Sequence, residues 1–176
     1  MSRSLRCVRW GVLLALLTVL FGFGLGGVFG AMEDGLKADL KARGEAVLNT
    51  VYGGDTARLS ATVDKAWAYY KRAHLHGGAI GTAALACALL CAAMTRSPAW
   101  LRAALGVALG LGGLGYSLFW LWAGYRAPAL GSTAAAKASL EWLAVPSAGL
   151  TLLGLVGVLV LAAWEWCWPA ETPSGG

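Results

Sequence analysis

The chain has 176 residues, of which 58% are hydrophobic and only 13% are charged, and its formal net charge is +5. Soluble domains contain about 25% charged residues, so this composition excludes an ordinary soluble globular protein and indicates a membrane protein. The Lys and Arg residues form no long block of like charges, which argues against a surface that binds nucleic acid.

Four apolar runs are long enough to cross a bilayer, whose hydrocarbon core requires about 20 helical residues. Their only charged residue is Arg102, which lies close enough to the end of its run to extend its side chain to the membrane surface. The sequence therefore predicts an all-α integral membrane protein, with residues 1–176 in a single domain. The predicted transmembrane helices are residues 10–30, 77–94, 100–122 and 142–164.

The first apolar run follows three arginines, Arg3, Arg6 and Arg9, as the hydrophobic region of a secretory signal peptide would. It is about twice as long as such a region, and no A-x-A cleavage pattern follows it. We therefore interpret this run as a retained transmembrane helix.

Positive residues in short loops indicate which end of each helix faces the cytoplasm. The N-terminal tail carries three arginines, and Arg96 and Arg102 border the short loop between the second and third runs. The segment 31–76 contains seven Lys and Arg but also six Asp and Glu, and its length weakens the rule. We expect an integral protein of the bacterial cytoplasmic membrane with both termini inside.

Most tryptophans fall at the ends of the predicted spans, where Trp and Tyr form belts at the membrane surface. One predicted belt contains Trp10, Trp100, Trp164, Trp166 and Trp168, and the other contains Trp120, Trp122, Tyr125 and Trp142. This layering agrees with four spans and does not by itself set their orientation.

The segment from residue 32 to residue 76 is predicted to form a helical hairpin outside the membrane. Its apolar residues recur at spacings of three and four, which is typical of amphipathic helices. Gly53 and Gly54 indicate a turn, and Asp55 is suited to cap the helix that follows. The hairpin would extend about 30 Å at 1.5 Å per residue. In the alternative arrangement, both helices lie flat on the bilayer with their lysines toward the headgroups.

Glycines recur every four residues on two of the predicted spans and indicate where these helices pack together. Gly22, Gly26 and Gly30 lie on one face of the first span, and Gly77 and Gly81 repeat the spacing at the start of the second. Small residues on facing helices let membrane helices approach closely. Folding the chain at the predicted turn places Gly30 opposite Gly77 and Gly26 opposite Gly81.

The same register places Glu33 opposite His74, one of two histidines in the chain. A carboxylate–imidazole pair is the simplest expectation for this contact. With Asp34, His76 and Glu141, these side chains are also of the types that bind a divalent metal, and an imidazole could bind haem or carry protons. The two histidines point about 200° apart on a regular helix, since each residue turns by about 100°. A shared ligand would therefore need a break in the helix.

The sequence contains no glycine-rich phosphate loop and no H-E-x-x-H, C-x-x-C or G-x-S-x-G motif. We therefore expect a non-enzymatic membrane subunit or scaffold without a cofactor, whose helical hairpin binds a protein partner or a second copy of the chain. Its other partner is the lipid bilayer, and nucleic acid is not expected. The alternative is a redox component that binds haem or a divalent metal through His74. A small-molecule transporter is a third hypothesis that no particular residue supports.

Overall fold

The computed structural model describes residues 3–167, and within that range the chain forms six α-helices and no strand. These are α1 (Arg3–Glu45), α2 (Leu48–Val51), α3 (Thr56–Ala93), α4 (Ala99–Leu130), α5 (Thr133–Ala138) and α6 (Glu141–Cys167). Helices α1, α3, α4 and α6 are long and apolar enough to cross a membrane. The all-helical class and the four apolar helices are therefore confirmed. Trp168, predicted for a tryptophan belt, lies outside the described residues.

Helices α1, α3 and α4 pack against one another in pairs, with α3 antiparallel to α1 and α4 parallel to it. Glycines permit the close approach of the backbones. A Cβ atom added at Gly11 of α1 would lie 2.6 Å from the carbonyl carbon of Gly106 in α4. Two turns further, the buried Thr18 hydroxyl lies 2.8 Å from the carbonyl oxygen of Leu14 and 3.2 Å from that of Gly110. This hydroxyl links α1 to α4 in the interior.

Helix α6 packs almost entirely on α4 and leaves most of its own surface open. Ser147 and Thr151 of α6 lie over Gly112 of α4, where an added Cβ would be 2.7 Å from the Thr151 nitrogen. The other side of α6 carries large aliphatic side chains, of which Leu153 is 73% exposed and Leu159 is 68% exposed. A continuous apolar surface of this kind is unusual in a soluble monomer.

Helix α1 changes direction at Met32, whose φ of −132° and ψ of 20° lie outside the helical range. The apolar run ends here, and Glu33 and Asp34 follow directly. These two acids therefore occupy the first turn of a new helical segment, where they interact favourably with the positive end of the helix dipole.

The predicted register between α1 and α3 is wrong by two helical turns. Gly22, rather than Gly30, lies against Gly77, and a Cβ added at Gly77 would be 2.7 Å from the Gly22 Cα. Gly81 lies against Val19, whose nitrogen would be 2.8 Å from an added Cβ. The two helices do meet through small residues, but through a different set of pairs.

The position of the turn contributes to this error. The chain leaves α1 at Glu45 and forms α2 before it reaches Gly53, so it folds back earlier than predicted. Gly44 lies against the Leu59 side chain.

Helix α4 continues past residue 122, where the predicted transmembrane segment ends, to Leu130 beside the ends of α1 and α3. Helix α5 closes over the same region. We call residues 33–72 and 123–140 together the head. The part of α1 in the head is about 20 Å long at 1.5 Å per residue, which is shorter than the predicted 30 Å.

The head has an apolar core of its own, built from four helices. Leu40 of α1, Trp67 of α3, Ala127 of α4 and Ala136 of α5 are all buried together. The Trp67 ring also meets Phe29, with 5.3 Å between the ring centroids. A two-helix hairpin was predicted from the sequence, whereas the ends of α4 and α5 complete a larger unit.

Candidate functional sites in the head and at the histidines

His74 connects α3 to α1 instead of pairing with Glu33. Its Nδ1 lies 2.7 Å from the carbonyl oxygen of Gly22 and donates a hydrogen bond to it, because a carbonyl can only accept. The ring also occupies the space beside Gly26, where an added Cβ would lie 2.6 Å from the imidazole Cε1. The missing side chain at Gly26 makes room for this ring, so His74 packs the two helices together.

His76 lies on another side of α3, as expected for an unbroken helix, and faces α4. Its ring centroid is 5.2 Å from that of Tyr116 and 6.1 Å from that of Trp120. The guanidinium of Arg72, one turn earlier, lies 4.8 Å over the Trp120 ring. We call Arg72, His76, Tyr116 and Trp120 the aromatic cluster. The two histidines contact different helices and cannot share a ligand in this arrangement.

Glu33, the first acid after the kink, forms an ion pair within its own helix. The Lys37 Nζ lies 2.5 Å from Glu33 Oε1, and this hydrogen bond raises the pKa of Lys37 above its usual value. The same Nζ lies 5.2 Å over the Trp67 ring. Asp34 is exposed. Among the described residues, no ion pair of this segment includes a histidine, so the predicted Glu33–His74 pair is not formed.

Glu141 is exposed in the first turn of α6, where an acid interacts favourably with the helix dipole. Within residues 3–167, no three His, Cys, Asp or Glu side chains lie close enough together to hold a metal ion. The five side chains that were considered as metal ligands therefore do not form one site. They are His74, His76, Glu33, Asp34 and Glu141.

The glycines that were predicted to pack the helices together differ from one another in what lies beside them. Gly22, Gly77 and Gly81 lie in direct contact with the backbone of the facing helix, and Gly26 lies against the His74 ring. A Cβ added at Gly30 would meet nothing within 4 Å. Gly30 is thus not part of the contact between α1 and α3.

The tip of the head is held by contacts between the turn and the end of α4. The buried Tyr52 donates a 2.7 Å hydrogen bond to the carbonyl oxygen of Pro128. Arg58 Nη2 lies 3.3 Å from the carbonyl oxygen of Gly131, which ends α4 at a left-handed φ of 64°. Asp55 caps α3 as predicted, because its carboxylate accepts the Arg58 N–H at 2.9 Å. The turn is therefore a fixed structure.

A groove of about 320 Å³ opens on the head between the end of α1 and the start of α3. Leu48, Leu59 and Val63 give it an apolar lining. Lys41 and Glu45 lie along one side and form an ion pair at 3.5 Å, and Thr56 and Ser60 add hydroxyl groups. We call this surface the head groove.

At the opposite end of the molecule, Glu165 of α6 binds the connection between α3 and α4. Its Oε1 accepts the backbone N–H of Thr95 at 2.7 Å and that of Arg96 at 2.9 Å. Desolvation acts to raise the pKa of Glu165, but these hydrogen bonds outweigh it and lower the pKa below its usual value. The carboxylate thus ties the end of α6 to the rest of the bundle.

No known protein family, curated protein or solved structure matches this chain. Its function is therefore inferred from its own surfaces. The two that stand out are the head groove and the aromatic cluster, since each combines an apolar lining with charged groups at the edge.

Sequence reasoning missed two residues that fix the structure, Tyr52 and Glu165. The sequence contains a feature that indicates the role of each residue. Tyr52 directly precedes the turn glycines, and a tyrosine that is buried needs a partner for its hydroxyl. Glu165 is an acid at the C-terminal end of a helix, where the helix dipole disfavours it, so it required a specific set of donors.

Proposed function

We propose that this chain is an integral membrane protein whose four apolar helices span the bilayer, with both termini inside and the head outside. The exposed aliphatic side chains of α1 and α6 support this placement, because lipid would cover them. The exposed tryptophans support it as well, since they lie near the ends of the predicted apolar spans, where the membrane surface would be. They are Trp10 and Trp100 at one end and Trp122 and Trp142 at the other.

We further propose that the protein is a non-enzymatic subunit or scaffold whose head binds an amphipathic helix of a partner protein. The head groove carries this proposal. Its apolar lining lies outside the proposed spans, where lipid does not cover it. A helix with apolar residues one turn apart would place them against Leu48, Leu59 and Val63. Charged residues beside that stripe would meet Lys41 and Glu45, which fix the orientation of the bound helix.

Site-specific photocrosslinking in native membranes tests this proposal. One variant carries a photoreactive residue in place of Ser60, which lines the head groove. The control carries it in place of Ala61, which is exposed on a different side of the same helix. We expect a single crosslinked partner from position 60 and none from position 61.

The crosslink should also depend on the lining of the groove. Adding Leu48→Asp to the position 60 variant places a charge in the apolar lining and should abolish the product. Equal crosslinking from both positions, or no product from position 60, would contradict the proposed role of the head.

A further inference from the structure

A second groove lies between α3 and α6, which barely contact each other while both pack on α4. Its first part is a cavity of about 210 Å³ whose lining includes Ile80, Tyr116, Thr151 and Leu152. A cavity of about 240 Å³ shares Ile80 and Thr151 with the first and extends to Cys87. Because they share lining residues, the two cavities form one continuous trough, which we call the lateral groove.

The lateral groove is apolar, and its length along α3 covers most of one lipid leaflet. The hydroxyl of Thr151 is bonded within its own helix, to the carbonyl oxygen of Ser147 at 3.0 Å, and presents no free donor. The residues of α3 that line the groove run from Ala79 to Cys87, a rise of about 12 Å at 1.5 Å per residue. Half of a hydrocarbon core of about 30 Å is about 15 Å. An acyl chain of a lipid can lie in an apolar trough of this length and volume.

A positive charge stands at the head end of the lateral groove. Arg72, His76 and Ile80 follow one another at one-turn spacing on α3, so the stripe that lines the groove leads to Arg72. The guanidinium lies 4.8 Å over the Trp120 ring and 5.5 Å over the Tyr69 ring. Among the described residues, Arg72 forms no ion pair with a carboxylate. Two rings therefore hold a cation whose charge no acid compensates.

We propose that the lateral groove binds an acyl chain of an anionic phospholipid whose phosphate contacts Arg72. An Arg guanidinium presents a planar fork of N–H donors that matches phosphate oxygens. The rings of the aromatic cluster lie at the depth where headgroups begin in the proposed placement. The lipid site rests on the membrane placement proposed above and is independent of the partner helix at the head groove.

Native mass spectrometry of the full chain tests whether the charge of Arg72 selects an anionic lipid. The protein is reconstituted in vesicles of equal phosphatidylglycerol and phosphatidylcholine and released in mild detergent. We expect one retained phosphatidylglycerol per chain, favoured about tenfold over phosphatidylcholine. Both lipids carry the phosphate, but the choline cation of phosphatidylcholine cancels its net charge and is repelled by the guanidinium of Arg72. Arg72→Gln should remove the preference, and Arg72→Lys should keep part of it. Lys71→Gln makes the same change of charge at the next position and should leave it unchanged.

A pair of bulky substitutions tests whether the retained lipid lies in the groove. Ala83 lines the groove, so Ala83→Trp should displace the retained lipid. Thr82 is exposed on a different side of α3, so Thr82→Trp should not. Circular dichroism and a single elution peak establish that each variant is folded. The proposal would be overturned if Arg72→Gln and Lys71→Gln reduced the preference for phosphatidylglycerol equally. It would also be overturned if the unchanged protein retained both lipids equally, or if a quinone occupied the groove. Each of these results would leave the membrane placement intact.

Discussion

At the scale of single residues, the neighbouring backbone decides which glycines are required. A Cβ added at Gly22 would collide with the backbone of Gly77 and Gly78, whereas one added at Gly30 would meet nothing within 4 Å. Both glycines belong to the same four-residue repeat, so the sequence does not distinguish them. The repeat predicts that the helix packs through this face, and the contacts of the facing helix select the positions that matter.

A matched pair of substitutions tests this distinction. Gly22→Leu should lower the stability of the protein by about 3 kcal/mol or prevent folding, because the side chain forces α1 and α3 apart. Gly30→Leu should leave stability within about 0.5 kcal/mol of the unchanged protein. Thermal unfolding in detergent measures both. Equal losses would mean that the register between α1 and α3 is not the one described.

The contact made by Glu165 should depend on pH. Its pKa is lowered in the folded protein, so the carboxylate stabilises the fold above its ordinary pKa of 4.5 and this contribution is lost as the pH falls below that value. Hydrogen-exchange protection of the Thr95 and Arg96 amides should therefore decrease on acidification. In Glu165→Gln the protection should be lower at neutral pH and no longer depend on pH. A flat profile in the unchanged protein would refute the role of this carboxylate.

At the scale of elements, the sequence predicts which helices exist better than it predicts how they are aligned. Apolar runs and the Gly53–Gly54 turn locate α1 and α3 well. Their register is ambiguous because a repeat of four residues looks the same after a shift of one or two turns. The kink at Met32 has no proline to signal it. The pairing of Glu33 with His74 depended on that register and is lost with it.

The hydrogen bond from Tyr52 is expected to hold the turn against the end of α4. Tyr52→Phe should destabilise the protein by about 1 kcal/mol, because the buried Pro128 carbonyl loses one donor but keeps the Gly131 N–H. Hydrogen exchange of α2 and thermal unfolding measure the effect. Thr50→Val removes an exposed hydroxyl bonded to the Val47 carbonyl and should change neither. If the two variants behave alike, the bond at the tip does not secure the head.

At the scale of the whole molecule, the apolar runs of the sequence predict four helices but not the shape of the head. The run that forms α4 loses its apolar character near Trp122, and Gly124 and Pro128, which are typical of a helix end, follow it. Residues 123–130 continue the helix because they pack on Leu40 and Trp67. Such contacts join segments far apart in the chain, and a local pattern cannot reveal them. The head is therefore a product of tertiary packing.

Cysteine labelling in intact cells is the most direct test of a head that lies wholly on one side of the membrane. Asn49→Cys in the head, Ala135→Cys in α5 and Ala99→Cys at the start of α4 are placed singly in a chain without its native cysteines. A membrane-impermeant maleimide should label positions 49 and 135 from outside and position 99 only after permeabilisation. Labelling of positions 49 and 99 from the same side would contradict the four-span arrangement, and the reverse pattern would overturn the proposed orientation.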